Sequence, residues 1–340
     1  MATLRAVGIR TSFKTIERVS EAVGAEVAKD EHGSFARARA PGEAPGNPPA
    51  LLVVQGDGMR IRELAGKPDT ATADVQDLPS EATGASGEAA AGWTECKVGV
   101  VVRMEPGRTK PDGTYEEPKT LVQTYVATME DVHEFGEKLL AEAERKGLRT
   151  ATKVVALSDA GHGLPEMWER ILPGAEWIVD FSHVKSRLFE CAAQVTDAEP
   201  ARTALARRWE GLLYEGKMDK LLRELVARAT EQAPRPEHAS DLPQDSPGRI
   251  LWTHIMYVEE RRTHMDYPSY RARGLPIASG HVEAMCKRIG VRMKAANKRW
   301  KPVTGSEAMV NLIASQASQD GRWEKRWPAP VYPRRVLQET

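Results

Sequence analysis

The chain has 340 residues, 41% of them hydrophobic and 28% charged, a balance that excludes a wholly disordered protein and leaves ample apolar material for a packed core. Its 48 basic and 48 acidic residues cancel, which argues against a uniformly basic nucleic-acid binder. Cys96, Cys191 and Cys286 stand far apart with no CxxC pair, and neither a signal peptide nor an apolar run of about 18 residues occurs, so a disulfide framework, a cysteine zinc site, a membrane span and secretion are not expected and the cytoplasm is.

Residues 12–27 space Ile16, Val19, Val23 and Val27 along one side of a helix. The stretch APGEAPGNPPA at 40–50 cannot propagate that helix and reads as a linker. A short apolar strand follows at 51–54, then a polar, Ala- and Gly-rich segment at 65–92, then strands at 97–104 and 120–128. Residues 106–118, with Pro111-Asp112-Gly113, turn the chain between the last two. From there the pattern alternates: helix 131–146 stopped by Gly147, strand 154–157, helix 164–172, strand 177–179 and helix 183–195. Three strands that can meander, followed by alternation, predict an α/β fold with a mixed sheet covered by helices. Residues 199–266 read as wholly helical, 280–297 and 307–318 as further helices, and 319–340 as a Trp- and Arg-rich tail.

Charge is spread unevenly. Residues 261–340 hold 16 Lys and Arg against 6 Asp and Glu, a local excess of 10, whereas 63–95 is mainly acidic. A solvated face is the plain reading of such a basic run, and a phosphate-binding face is the sharper one.

Two aspartates follow apolar strands, Asp57 in VVQGDGMR and Asp159 in VVALSDAGHG. Strand ends in α/β sheets collect functional groups, although each Asp can also simply serve a turn. Glu283 falls in the first turn of the helix in SGHVEAMCKRIGVRMK, where it gains from the helix dipole and can pair with Lys287 at i,i+4. Three carboxylates on one site would supply hard oxygen ligands for one or two Mg²⁺ ions, which suit phosphodiester displacement. Asp180-Phe181-Ser182-His183 joins a strand end to a helix start, with Asp180 in the N-cap position. His162 and His281 flank the second and third acids without an HExxH spacing, so a zinc enzyme is not expected.

Taken in order, VVQGDGMRIRE, WTECKVGVVVRM, LSDAGHGLPEMWERILPGAEWIVDFSHVKSRL, SGHVEAMCKRIGVRMKAANKRW and DGRWEKRW resemble the bacterial insertion-sequence transposases of the DDE type, specifically the Kra-type group related to Mutator-like transposases. The resemblance runs over residues 51–327, most of the chain. It implies an RNase H-like mixed sheet flanked by helices, with an all-helical insertion between the second and third acids. It implies Asp57, Asp159 and Glu283 as catalytic, metal-holding acids, and Asp180 and His183 as the D-x-x-H motif. The cofactor implied is Mg²⁺, with Mn²⁺ as substitute. The partner is double-stranded DNA, both element ends and target, cut and joined by a homo-oligomer associated with the nucleoid. Lys287, Arg288, Arg292, Lys294, Lys298 and Arg299 would hold phosphates, and Trp300 would stack on a base or fill the core. The domains expected are a helical region and linker at 1–47, the core at 48–198, the helical insertion at 199–266, core helices carrying the third acid at 267–318, and the tail at 319–340. Gly56-Asp57-Gly58 and Asp159-Ala160-Gly161 depart from the family pattern, and only 56 residues precede Asp57. These departures keep two rivals open: a truncated or inactive DNA-binding remnant, and a nuclease on the same core that never joins strands.

Overall fold

A computed structural model describes residues 13–38, 47–63, 92–161, 163–294, 300 and 304–326. Most of the linker at 40–50, the segment at 65–91 and the tail beyond 326 lie outside these described residues, as do His162, Lys298 and Arg299.

In chain order the elements are α1 (Phe13–Ala38), β1 (Leu51–Arg62), β2 (Trp93–Glu105), β3 (Arg108–Thr109), β4 (Tyr115–Glu116), β5 (Lys119–Thr128), α2 (Val132–Arg145), β6 (Lys153–Ser158), α3 (Leu164–Ile171), β7 (Glu176–Val179) and α4 (Phe181–Val195). Then come α5 (Glu199–Tyr214), α6 (Met218–Gln232), α7 (Pro247–Arg261), α8 (Tyr267–Ala272), α9 (Gly280–Met293), α10 (Thr304–Ala317) and α11 (Arg322–Arg326). The expected order of strands and helices is the observed one. The turn at 106–118 carries a small hairpin, β3 with β4, around Gly113, whose φ of 82° suits glycine.

Five strands form one mixed sheet in the order β5-β2-β1-β6-β7. β2 runs antiparallel to both β1 and β5, while β6 runs parallel to β1 and β7 parallel to β6. The sheet is covered on both faces, which is why its inner strands read as unbroken apolar runs. In β1, Leu51 and Val53 join the cluster built with Val184, Leu188, Val282 and Ile289 of α4 and α9. The alternate residues Leu52 and Val54 join Phe135, Leu139, Met167 and Trp168 of α2 and α3 on the other face. All four β1 side chains are fully buried, which stabilises the fold by roughly 1.5 to 3 kcal/mol each. α10 packs on β5 and on α1; α1 comes close at Gly24, where a Cβ would sit 2.2 Å from the Ala308 carbonyl oxygen. Among the described residues no helix is long and apolar enough to cross a membrane.

The largest departure from the sequence reading is β1, which continues well past residue 54 to Arg62, so that Asp57 is a strand residue paired with Val98 and serves no turn. The glycines beside it mislead a reading based on turn chemistry. They are strand glycines at places where side chains press on the backbone: a Cβ on Gly56 would meet Trp168 Cζ2 at 3.0 Å, and one on Gly58 would meet Glu95 Oε1 at 2.6 Å.

Candidate functional site

β1 and β6 pair in parallel up to Gly56 with Ser158. Asp57, still inside β1, and Asp159, just past the end of β6, follow that pair, so neighbouring parallel strands place two carboxylates at one level of the sheet. Both are half-buried. Asp57 Oδ1 accepts the Gly58 amide at 2.7 Å, and Oδ2 accepts the Cys286 thiol at 3.5 Å. Burial lifts the Asp57 carboxyl above its ordinary range; the Gly58 amide and the charge of His183 oppose that rise, and the charge of Asp159 adds to it.

The loop after β6 is held from several sides. Asp159 Oδ1 accepts the Gly161 amide at 3.0 Å, and the Ala160 amide donates to the Tyr257 hydroxyl oxygen at 3.2 Å. Ser158 Oγ donates to the Asp159 carbonyl at 2.6 Å and accepts the Trp168 indole N–H at 2.8 Å. A loop held this way keeps its carboxylate in one orientation without help from regular structure.

Asp180 is fully buried at the end of β7. It caps α4 as expected, accepting the Ser182 amide at 2.9 Å. It also accepts the Ser279 amide at 3.3 Å, the Ser279 hydroxyl, and His183 Nδ1–H at 2.7 Å. A buried carboxylate is tolerated when its lone pairs are met in this way. Ser279 is the residue before α9, so one side chain ties the start of α4 to the start of α9. The hydrogen bond and charge of Asp180 outweigh burial and push His183 up to about 9, with further help from the charges of Asp159 and Asp57. The raised value favours the protonated ring at neutral pH, whose charge acts on both Asp57 and Asp159.

α9 lies across the middle of β1: the Val282 amide donates to Gln55 Oε1 at 3.1 Å, and Cys286 meets Asp57. Glu283 lies on the same helix, one turn before Cys286, with its carboxylate 3.7 Å from Lys287 Nζ. That is the i,i+4 pair, and with Lys287 largely exposed it contributes only about 0.3 to 0.5 kcal/mol. The structure thus brings Asp57, Asp159 and His183 into mutual electrostatic range and leaves Glu283 on the covering helix engaged with Lys287. Among the described residues no group of three His, Cys, Asp or Glu side chains stands ready to hold a metal ion. His281 turns to Thr120, with Nε2 3.1 Å from its hydroxyl, and burial lowers its basicity.

Of the residues expected to hold phosphates, Lys287, Arg292 and Lys294 are exposed and Arg288 is half-buried. Trp300 is half-buried against the main core, with its indole N–H donated to the Met293 carbonyl at 3.1 Å and its amide to Arg62 at 3.3 Å. These contacts are those of a packing residue. Three participants escaped the sequence reading. Gln55 was visible as a lone polar residue in an apolar strand, Cys286 as the residue three after Glu283, and Tyr257 had no signal at all.

No protein-family model and no curated protein matches the chain. Among solved structures it is similar to the Drosophila P element transposase strand transfer complex, at 12% identity and a TM-score of 0.32 over 82% of this chain and 80% of that one.

Proposed function

We propose that the chain is a metal-dependent DNA-cutting and strand-joining enzyme of the DDE transposase type on an RNase H-like core. The observation that carries this reading is the placement of Asp57 and Asp159 at one level of the sheet, where β6 ends, by neighbouring parallel strands, with a helix bearing Glu283 drawn across that level by Gln55 and Asp57. The strand order, three antiparallel strands extended by two parallel ones, is the order that an RNase H-like core requires. The helices from α5 to α7 interrupt the chain between the second and third acids, as an all-helical insertion at 199–266 would.

The donor set suits Mg²⁺ or Mn²⁺. Two carboxylates stand on neighbouring strands, and one of them is pushed toward its neutral form by burial and by its neighbour, a cost that a hard cation would remove. Asp57 and Asp159 would hold the ion, with Glu283 joining from α9. When bound, the ion supplies the charge that stabilises attacking and leaving oxygens in an in-line displacement at phosphorus. Asp180 orients His183, which brings a positive charge beside the acids. The hydrogen bonds of Gly58 and Gly161 fix the two carboxylates, and the exposed bases of α9 would hold DNA phosphates.

The test is a gel assay for nicking and joining of DNA bearing the element ends, with Mg²⁺ or Mn²⁺, comparing the wild type with Asp57→Asn, Asp159→Ala and Glu283→Gln. All three variants are expected to lose cleavage and keep binding. Full cleavage by Asp57→Asn would remove that acid from the mechanism. The engagement of Glu283 with Lys287 favours one rival, a DNA-binding remnant without cleavage; it predicts salt-sensitive binding and no metal-dependent nicking by the wild type. Cleavage without joining would identify a nuclease.

A further inference from the structure

Most arginines in the helices around the sheet are spoken for. Arg208 holds both oxygens of Glu224, Arg235 both of Glu259, and Arg273 both of Glu176, the fork geometry that guanidinium prefers. Arg187, one turn after His183 on α4, is different. Its guanidinium stacks 4.0 Å from the centre of the Tyr257 ring, and Nη1 donates to His254 Nδ1 at 3.3 Å. Arginine can only donate, so His254 carries its hydrogen on Nε2, where Glu190 accepts it at 2.8 Å. Glu190 is thereby spent on the histidine. Arg187 has no carboxylate partner among the described residues, and its Nε is buried without an acceptor.

A second guanidinium, that of Arg261 at the end of α7, lies 4.7 Å from the same ring centre. Its carboxylate contact is with the adjacent and largely exposed Glu260, a pairing that contributes little in water. Two guanidinium groups therefore pack against one tyrosine ring, and the hydroxyl of that tyrosine accepts the amide beside Asp159. With one guanidinium lacking a carboxylate and the other holding only an exposed one, an anion entering beside the ring would gain from both charges.

We propose that Arg187 and Arg261, gathered by Tyr257 beside Asp159, are a phosphate clamp that holds a phosphodiester of the DNA strand entering the acidic site. This deepens the function proposed above and rests on it. The clamp draws one arginine from α4, which follows the sheet, and one from the helical segment. That segment would thus contribute to substrate binding directly, and Tyr257 would couple it to the second acid.

The experiment measures duplex DNA binding by fluorescence anisotropy in EDTA across a salt series, beside Mg²⁺-dependent nicking of the same duplex. Arg187→Gln and Arg261→Gln are each expected to reduce the slope of log Kd against log salt by about one, and the double variant by about two. Arg187→Lys, which keeps the charge, should keep the slope and guards against misreading a folding defect, with thermal melting run alongside. If the wild type nicks DNA but both glutamine variants keep the full slope, the clamp is refuted and the proposed function survives. If the slopes fall as expected but the wild type never nicks, the clamp stands and the catalytic reading fails. Absence of duplex binding by the wild type at low salt overturns both. Stabilisation of the wild type but not Arg261→Gln by inorganic phosphate, with duplex slopes unchanged, would assign the pair to a free phosphate and overturn the strand assignment.

Discussion

His183 Nδ1 lies 2.7 Å from the buried carboxylate of Asp180, three residues before it, at the point where β7 becomes α4. The pair raises His183 to about 9, and two consequences can be measured. In EDTA, an NMR titration of His183 should give a midpoint near that value, falling toward the ordinary 6.5 in Asp180→Asn. Because the folded value is the raised one, the stabilisation is complete below about 6.5 and is lost as pH rises through about 9. Asp180→Asn should therefore cost about 2 to 3 kcal/mol near pH 6, with part of that deficit closing above pH 9. An unchanged His183 midpoint would dissolve the pairing.

Asp57 is the opposite case, a carboxylate whose burial and whose neighbour Asp159 both disfavour its charge. Asn at this position keeps an oxygen for the Gly58 amide and removes the strained charge. Asp57→Asn measured in EDTA at neutral pH should melt no lower than the wild type, and up to about 1 kcal/mol higher, while losing metal-dependent nicking. A variant that is both inactive and strongly destabilised would make Asp57 a structural residue.

Gly56→Ala tests the close approach beside that acid. Its Cβ would stand 3.0 Å from Trp168, a side chain fixed by its own bond to Ser158. Overpacking should cost about 1 to 3 kcal/mol by chemical denaturation. A neutral result would mean that α3 gives way freely.

Asp320 anchors the end of the described chain to α2. Burial alone would raise its carboxyl, but Arg322 and Lys146 outweigh that and hold it well below its ordinary range. Burial at the same cluster brings Lys146 down to about 8. A depressed carboxyl stabilises above its unfolded value and loses that contribution as pH falls through the folded one. Asp320→Asn should accordingly cost about 2 kcal/mol near pH 7, and the gap to the wild type should narrow below pH 4 in thermal melts. A gap independent of pH would place the effect in packing.

Trp300→Phe separates packing from base stacking. Losing the indole bond to the Met293 carbonyl should lower stability by about 1 kcal/mol, and DNA affinity should stay within twofold. A large loss of affinity with unchanged melting would restore the stacking role.

Local patterns carried the architecture. The strand and helix order was legible because each element writes its own periodicity, as in the alternate burial of Leu51 to Val54, and because capping groups such as Asp131 and Asp180 act within a few residues. The same locality explains the error at β1: Gly-Asp-Gly carries turn chemistry in isolation, and only the long-range pairing with β2, with Trp168 of α3 and Glu95 of β2 close against the backbone, makes those glycines strand residues.

What the sequence by itself determined was therefore the set of elements, and a short roster of acids and bases that a site could use. The tertiary structure decided which of them meet. Asp57 and Cys286 are 229 residues apart in the chain, Val282 and Gln55 227, and Ala160 and Tyr257 97; no periodicity reports on such pairs. They are joined by strand register and helix packing, which depend on how both faces of the sheet are covered at once. Asp180 could be read as a cap from three adjacent letters, but its hold on Ser279, and through it on the start of α9, exists only when the whole sheet has folded.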